Sequence, residues 1–292
     1  MDIDLVNKIK RLTIIALASD DRLVEALVLK GGNAIDLLYT TANSVSRASY
    51  DLDYSIINGD FEELLVFKRI EEVLKQTFLE HSYVIIDFKY FSRPETVLKD
   101  LADFWGGYMV EFKVVEKVFY DKNKDNIDTL RRNAIPIYPS HSSKMILEFS
   151  KYEYVDHKQE VHVDGYKIYV YTSEMIVFEK VRAICQQLPD YKRIIKSATE
   201  KTGRAKDFYD IHLIMNACNI APSSQSNIEL LKHIFSAKKV PLDYIKEIKN
   251  SKSLYANAWE DVKTTVSSKV ALQSFDFYFE FVVNKFDGLT FP

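Results

Sequence analysis

Two aspartates separated by one residue, Asp51 and Asp53, are the side chains in this sequence best suited to metal chemistry. They lie in YDLDYSII, a segment whose alternation of apolar and polar residues predicts a β-strand. Because side chains alternate between the faces of a strand, both carboxylates point to one face and Leu52 to the other. Carboxylates held this close repel each other unless a cation lies between them. The pair therefore predicts a site for Mg²⁺ or Mn²⁺, with an exposed strand face as the alternative.

A double glycine, Gly31 and Gly32, precedes the aspartates. The segment ALVLKGG is too short for a helix and predicts a strand ending in a turn, and NAIDLLYT predicts a short helix with Asn33 as its N-cap. Glycine has no Cβ, so the backbone can approach a ligand closely, and a helix N-terminus presents free N–H groups. The segment predicts a phosphate-binding turn, although it matches neither the P-loop nor the dinucleotide-binding pattern. A plain strand-to-helix turn is the alternative.

The elements that must position these residues fall into two regions. Up to residue 172, predicted helices and strands are mixed, and EVHVDGYKIYVYT predicts a hairpin that turns at Asp164 and Gly165. From Ser173 onward, the segments follow helical spacing with hardly a strand among them. We therefore predict an α/β domain over residues 1–172 and a helical domain over residues 173–292.

The composition restricts the class of protein and its partners. The chain has 292 residues, of which 47% are hydrophobic, and this predicts an ordinary globular protein. The formal net charge is −3, so a nucleic-acid partner would need a local basic patch. The two cysteines and six histidines have no spacing typical of a metal site or a catalytic triad. The N-terminus lacks the features of a signal peptide and no segment is apolar enough to cross a membrane, so we predict a cytoplasmic location.

The order and spacing of these motifs resemble the AbiEii/AbiGii-type nucleotidyltransferase toxins, which belong to the DNA polymerase β-like nucleotidyltransferase superfamily. The family signature is an hKGGTAL turn and helix followed by an R-x-S-x-DLD strand. This sequence has LKGGNAIDLLY and RASYDLDYSI, and the matching residues of the second segment are Arg47, Ser49, Asp51 and Asp53. Asn33 stands where the family usually has Thr or Ser, and a small polar residue is kept.

A second block of the sequence resembles the family's E-K-h-R-A helix and R-x-K-D-h-x-D motif. The two segments are FEKVRAI and GRAKDFYDIHLI, which contain Glu179, Lys180, Arg182, Arg204, Lys206, Asp207 and Asp210. The cations of this block can neutralise a triphosphate, and a neighbouring carboxylate can orient a cation or accept a proton. The alternative is that both segments are charged faces of amphipathic helices, with Glu179 and Arg182 as an i,i+3 pair. The resemblance covers about residues 22–215.

The resemblance implies an α+β fold, with an N-terminal polymerase β-like nucleotidyltransferase domain of a mixed sheet and flanking helices. An α-helical C-terminal domain would follow and complete the active-site cleft. The implied catalytic residues are Asp51, Asp53, Lys180 and Asp207. The implied NTP-binding residues are Lys30, Gly31, Gly32, Asn33, Ser49, Arg204 and Lys206. The implied metal ligands are Asp51, Asp53 and Glu148, where Glu148 in KMILEFS is preferred to Glu111 in YMVEFKVV as the third carboxylate.

The resemblance also implies a reaction, partners and a biological role. The enzyme would transfer a nucleoside monophosphate from an NTP to an acceptor hydroxyl, release pyrophosphate and require Mg²⁺ or Mn²⁺. It would be the toxin of a toxin–antitoxin system for abortive infection and phage defence, with tRNA or another RNA as acceptor and a cognate antitoxin as partner. The basic strip from Asp190 to Lys206 would contact phosphates, or it is a solvated helix face. A nucleotidyltransferase for a small molecule or protein, and a non-catalytic partner-binding module, are the alternatives.

Overall fold

The computed structural model describes residues 2–39, 49–57, 63–196, 203–266 and 271–291. These residues form two compact units. The first unit contains Met1–Lys30, Tyr50–Val155 and Gln159–Val170, and the second contains Gly31–Ser49, Asp156–Lys158 and Tyr171–Pro292. The division of the chain into domains at residue 172 stays a prediction.

Within the described residues, seven strands form one mixed sheet, which belongs to the first unit. In chain order the strands are β1 (Leu27–Lys30), β2 (Leu52–Ile56), β3 (Tyr83–Ser92), β4 (Gly107–Glu116), β5 (Met145–Ser150), β6 (Gln159–Val163) and β7 (Tyr166–Val170). Their spatial order is β3-β4-β5-β2-β1-β7-β6. The pairs β2–β5 and β1–β7 are parallel, and the other neighbours are antiparallel.

The helices are numbered through both units. They are α1 (Ile3–Ala18), α2 (Asp21–Ala26), α3 (Gly31–Tyr39), α4 (Glu63–Glu80), α5 (Lys117–Asn123), α6 (Ile127–Arg132), α7 (Ser173–Cys185), α8 (Pro189–Ile194), α9 (Ala205–Cys218), α10 (Gln225–Ser236), α11 (Tyr244–Glu247), α12 (Lys252–Ala256), α13 (Trp259–Thr265) and α14 (Phe275–Phe286). None of the helices described is both long enough and apolar enough to cross a membrane.

Aromatic side chains join α4 to one face of the sheet in the first unit. The ring of Phe67 stacks on Tyr90 of β3 with 4.3 Å between centroids and meets Tyr108 of β4 edge to face at 5.1 Å. Farther along α4, Phe78 meets Phe112 of β4 edge to face. Burying such rings supplies much of the hydrophobic stabilisation of a core. The opposite face of the sheet carries Asp53, Glu111 and Glu148, and a small apolar cluster of β3, β4 and α6 lies on the same face.

Packed helices build the second unit. Helix α7 is buried along most of its length and packs against α9 and α10, while α14 packs against α9. Phe208 of α9 is the centre of an aromatic cluster with Tyr255, Phe275 and Phe279. Several helices begin at a polar cap, as α7 does at Thr172, whose side chain accepts a hydrogen bond from the Met175 N–H.

The structure confirms the α+β class, with a mixed sheet and flanking helices. The predicted strand before the double glycine, the strand that contains Asp53 and the hairpin at Asp164–Gly165 are all present. The prediction that Asn33 is an N-cap is wrong, because α3 begins at Gly31 and Asn33 lies in its first turn. Gly31 starts the helix with a φ of 69°, which glycine adopts without steric cost, so the helix begins before the predicted N-cap.

Candidate functional site

A row of cross-strand neighbours carries two of the predicted carboxylates in the first unit. Asp53 of β2 is paired with Glu148 of β5 in the parallel register, and with Lys30 of β1 in the antiparallel register. Residues paired across strands point to the same face, and adjacent strands lie about 4.8 Å apart. The sheet therefore holds the carboxylates of Asp53 and Glu148 side by side. Glu111, the other proposed third carboxylate, is paired with Ile146 and has its own cation in Lys144, at 2.7 Å.

Asp51 precedes β2 and is held by a side chain from a distant loop. The hydroxyl of Tyr138 donates a hydrogen bond to Asp51 Oδ1, and the Tyr138 ring packs at 5.6 Å from the ring of Tyr50. Burial and the hydrogen bond to Asp51 both raise the pKa of the Tyr138 phenol, so it stays protonated and remains a donor. The contact sets the orientation of the Asp51 carboxylate.

Glu148 has a cation of its own near the end of β3. Arg93 Nη1 lies 3.6 Å from Glu148 Oε1 and also within reach of the Met109 sulfur. The side chains of Arg93 and Glu148 are 62% and 44% exposed, so this is a solvated ion pair of small energetic value. Arg93 can leave Glu148 at little cost when another cation approaches.

The donors in this row fit a hard cation. Asp51, Asp53 and Glu148 offer carboxylate oxygens, and Mg²⁺ is usually bound by one or two carboxylates together with water and phosphate oxygens. Among the residues that the structure describes, no group of three or more His, Cys, Asp or Glu side chains is placed to hold a metal ion. Mg²⁺ can be bound by one or two carboxylates, because water and phosphate oxygens fill its other positions.

Lys30, at the end of β1, is a buried cation next to these carboxylates. It is paired with Asp53 in the sheet, and its Nζ lies 3.5 Å from Glu153 Oε1. The side chains of Lys30 and Glu153 are only 9% and 5% exposed. A buried ammonium group is tolerated when a carboxylate neutralises it, which explains why the sequence places Glu153 just after β5.

The predicted phosphate turn lies in the second unit, at the N-terminus of α3. A Cβ added at Gly32 would come within 2.6 Å of Ser49 Cβ and 2.7 Å of Ser49 Oγ. The absence of a side chain at Gly32 is thus what allows Ser49 to reach the helix N-terminus. The structure therefore brings together Gly32 and Ser49, two residues that were assigned to NTP binding. Asn33, which follows Gly32 in the chain, is buried, with an exposure of 3%.

The second motif block forms one buried network in the second unit. Lys180 Nζ of α7 lies 3.0 Å from Asp207 Oδ1 and 2.7 Å from Asp210 Oδ2, both on α9. Arg204 donates through Nε to Asp207 Oδ2. Burial of Asp207 would by itself raise its pKa, but Arg204, Lys180 and Lys206 outweigh that effect and lower the pKa below its ordinary value. Asp207 is therefore ionised and engaged with cations at both of its oxygens.

The remaining residues of the second block behave differently. Arg182 donates to Glu179 Oε1 at 3.2 Å and to the Ile234 carbonyl at 3.3 Å, and it is 3% exposed. The i,i+3 pair, which was the structural alternative for these two residues, is therefore present. Lys206 is exposed on the first turn of α9. Arg47 and residues 197–202 of the basic strip lie outside the described residues.

Tyr138, Arg93 and Glu153 are the residues near the carboxylates that sequence reasoning missed. They come from connecting segments, and Tyr138 is 87 residues from Asp51 in the chain. None of them belongs to a spacing pattern that reports chemistry. The sheet register brings them to the site.

The model of a protein family described as nucleotidyl transferase AbiEii toxin, type IV toxin–antitoxin system, matches residues 15–281 of the chain. No curated protein matches the sequence significantly.

Three solved structures are similar to this one. A candidate nucleotidyltransferase from H. pylori has 17% identity and a TM-score of 0.44, covering 97% of this chain and 95% of its own. The JHP933 protein from Helicobacter pylori has 16% identity and a TM-score of 0.42, covering 96% and 91%. An antigenic nucleotidyltransferase-like protein from Paracoccidioides brasiliensis has 15% identity and a TM-score of 0.36, covering 79% and 93%.

Proposed function

The chain belongs to the AbiEii family of nucleotidyltransferase toxins of type IV toxin–antitoxin systems, and from this premise we propose that it transfers a nucleoside monophosphate from an NTP to a hydroxyl group of RNA in a Mg²⁺-dependent reaction. The observation that carries the proposal is the direct pairing of Asp53 with Glu148 in the sheet. Asp53 lies two residues after Asp51 in the chain. Three carboxylates in this order supply the oxygen ligands that nucleotidyl transfer needs.

Asp51, Asp53 and Glu148 are the residues that would hold Mg²⁺ or Mn²⁺. A bound cation of this kind neutralises phosphate charge and lowers the pKa of an attacking hydroxyl. The part of the protein is to keep the carboxylates close together and correctly oriented. The register of β2 and β5 does this for Asp53 and Glu148, and the hydrogen bond from Tyr138 does it for Asp51.

Backbone and polar groups at the start of α3 would bind the triphosphate. The N–H groups of Gly31 and Gly32 point out of a helix N-terminus, which favours anions, and Ser49 lies against Gly32. Asn33 would add an amide to the same set. The cations assigned to NTP binding are Lys30, Arg204 and Lys206.

Lys180 and Asp207 would form the positioning part of the site. Because both oxygens of Asp207 already accept from cations and its pKa is lowered, Asp207 is a poor proton acceptor. We therefore assign it the role of holding Lys180 and Arg204, and not that of a general base. Lys180 would then present a fixed positive charge to the nucleotide.

The acceptor, the partner and the setting complete the proposal. The family description supports a toxin with a cognate antitoxin. We propose tRNA or another RNA as the acceptor, a cytoplasmic location, and a role in abortive infection against phage.

Transfer of label tests the reaction directly. Purified protein is incubated with Mg²⁺, each α-³²P-labelled NTP in turn and total cellular RNA, beside Asp53→Asn and Glu148→Gln. We expect label in RNA with the unaltered protein, and at least a hundredfold less with either variant, as is typical when a charge-stabilising group is removed from an active site. The matched control is Glu160→Gln on the edge strand β6, whose side chain is 48% exposed.

The outcomes separate the alternatives. Label that appears in the protein or in a small molecule, and not in RNA, overturns the acceptor and keeps the reaction class. No label in any fraction, with all four nucleotides, overturns the enzymatic proposal. Equal labelling by Glu160→Gln and Glu148→Gln would remove Glu148 from the metal site.

A further inference from the structure

The face of the sheet that carries Asp53 and Glu148 continues across β4 to β3, where it ends in an exposed aromatic ring. Glu148 of β5 is paired with Met109 of β4, and Met109 with Phe91 of β3. Cross-strand partners share a face, so Phe91 lies on the same face as Asp53 and Glu148. Its neighbour Tyr90 points the other way and stacks on Phe67 of α4. Phe91 is 41% exposed and therefore presents a ring to solvent at the end of the carboxylate row.

A charged cavity of about 330 Å³ lies along the same two strands. The pair Lys89–Glu111 in its wall is two residues from the pair Phe91–Met109, which is about 7 Å along a strand. The cations that line the cavity are Lys89, Lys113, Arg131 and Lys144. Its two carboxylates are Asp87 and Glu111. Cations thus outnumber carboxylates four to two, and the cavity has a net positive charge.

The carboxylates hold the cations in place without neutralising the cavity. Arg131 donates to both oxygens of Asp87, through Nε at 2.9 Å and Nη2 at 2.9 Å, and Lys113 lies 3.8 Å from the same carboxylate. Lys144 lies 2.7 Å from Glu111. Arg131 thereby keeps a fixed planar orientation, and its Nη1 lies 3.5 Å from the exposed carboxylate of Asp128. A phosphate, which the guanidinium group recognises well, would compete there only with a solvated ion pair.

We infer that this face of β3 and β4 binds the single-stranded end of the RNA acceptor, with Phe91 stacked on a base and the cavity cations holding a phosphate. The inference rests on the proposed function, because it concerns the acceptor of that reaction. Stacking on an aromatic ring together with a cationic groove is how proteins bind unpaired nucleotides without reading their sequence. A small acceptor would not reach a phosphate-binding cavity this far along the strands from the carboxylates.

Direct RNA binding tests the inference without relying on turnover. Binding of a short fluorescein-labelled single-stranded RNA is followed by anisotropy for the unaltered protein, Phe91→Ala, Lys89→Gln and Lys144→Gln. The matched controls are Leu79→Ala and Lys75→Gln, both exposed on α4, which packs on the opposite face of the sheet. We expect Phe91→Ala to weaken binding about tenfold, as loss of one stacked base does. Each lysine variant should reduce the slope of log K against log salt by about 0.7.

Steady-state kinetics provide the second measurement. The Phe91 and Lys89 variants should raise KM for RNA and leave KM for the NTP unchanged, and melting temperatures should show that both variants fold. RNA binding that is equal in the variants and the unaltered protein overturns the inference, and so does weakening by the α4 controls of the same size. Failure of the unaltered protein to bind this RNA overturns it as well.

The two proposals can fail separately. If the unaltered protein labels RNA and the Phe91 and Lys89 variants keep its KM, the acceptor surface is wrong and the reaction stands. If RNA binding depends on Phe91 and Lys89 but no label is transferred, the surface stands and the reaction is wrong.

Discussion

The contact between Tyr138 and Asp51 could not be predicted from the sequence. The Tyr138 hydroxyl donates a hydrogen bond to one oxygen of the Asp51 carboxylate, from a loop 87 residues away in the chain. Groups that orient metal ligands in this way affect metal affinity nearly as strongly as the ligands do. If Asp51 is a metal ligand as proposed, Tyr138 is a positioning residue that acts through it.

Tyr138→Phe keeps the ring and removes only the donor. We expect the Mg²⁺ concentration for half-maximal transfer to rise about tenfold, because Asp51 loses its fixed orientation. A Mg²⁺ titration of nucleotidyl transfer at saturating NTP measures this. The control is Tyr166→Phe, because Tyr166 is an exposed residue at the start of β7. An unchanged Mg²⁺ midpoint in Tyr138→Phe would show that the hydrogen bond has no part in metal binding.

The second unit contains two Arg–Asp pairs of equal spacing and opposite exposure. Arg204 and Asp207 are an i,i+3 pair in which the Asp207 side chain is 1% exposed. Arg193 and Asp190 are also an i,i+3 pair, at 2.9 Å, but their side chains are 80% and 59% exposed. Removing one partner of a buried pair leaves a buried charge without compensation, whereas an exposed pair is worth little.

Asp207→Asn should therefore lower the free energy of unfolding by about 3 kcal/mol, and Asp190→Asn by less than about 1 kcal/mol. Urea denaturation at pH 7 measures both variants. Equal losses would contradict the assignment of Asp207 to a buried network that holds Lys180.

The pH dependence of the same variant follows from the lowered pKa of Asp207 in the folded protein. The unfolded chain binds this proton at about pH 3.8, so the stabilisation is complete above that pH and is lost as the pH falls below it. The difference in unfolding free energy between the unaltered protein and Asp207→Asn should shrink from pH 5 to pH 3. A difference that grows over this range would reverse the sign of the shift.

At the level of elements, the start of α3 depends on the close approach of two residues. Gly31 has a positive φ, and Gly32 has no Cβ to meet Ser49. The helix N-terminus and the segment that leads into β2 are therefore matched in shape at these positions. A side chain at Gly32 would have to displace a backbone-linked atom of Ser49, which a rotamer change cannot do.

Gly32→Ala should lower the free energy of unfolding by about 2 kcal/mol, a typical cost of overpacking. Ser49→Gly in the same chain removes the clashing atoms, so the double variant should recover most of the loss. Gly288→Ala is the control, because a Cβ there meets no atom within 4 Å. Thermal melting of the four proteins measures the effect, and a double variant no more stable than Gly32→Ala would contradict it.

At the level of the whole molecule, membership of the AbiEii toxin family implies an effect on growing cells. Induced expression in a bacterial host should arrest growth, and Asp53→Asn should abolish the arrest at equal protein level. Growth curves with immunoblots measure this, with Glu160→Gln as the variant that should arrest growth as the unaltered protein does. Growth arrest by Asp53→Asn would separate toxicity from the carboxylate chemistry.

The net charge of the whole chain, −3, limits how the protein could bind an RNA acceptor. A protein of this charge does not attract RNA over its entire surface, so the proposed contact with RNA would depend on local clusters of cations. The cavity of β3, β4 and α6 is such a cluster within the described residues, and its cations come from four separate places in the sequence.

The sequence by itself determined the elements and the chemistry of the individual motifs. Alternation in YDLDYSII predicts β2, and the short apolar run before the double glycine predicts β1. The mixed α+β class and the nucleotidyltransferase family followed from the order of these motifs. Such signals are local, since they depend on side-chain periodicity and backbone preference over a few residues.

Only the tertiary structure decided which distant residues meet. The register of β2 with β5 puts Glu148, and not Glu111, beside Asp53, although both glutamates have the same local pattern. The start of α3 at Gly31 and the contact of Tyr138 with Asp51 also escaped prediction. Each depends on pairings between segments far apart in the chain, and the free energy of such a pairing comes from the packing of the complete unit. A short stretch of sequence does not carry that information.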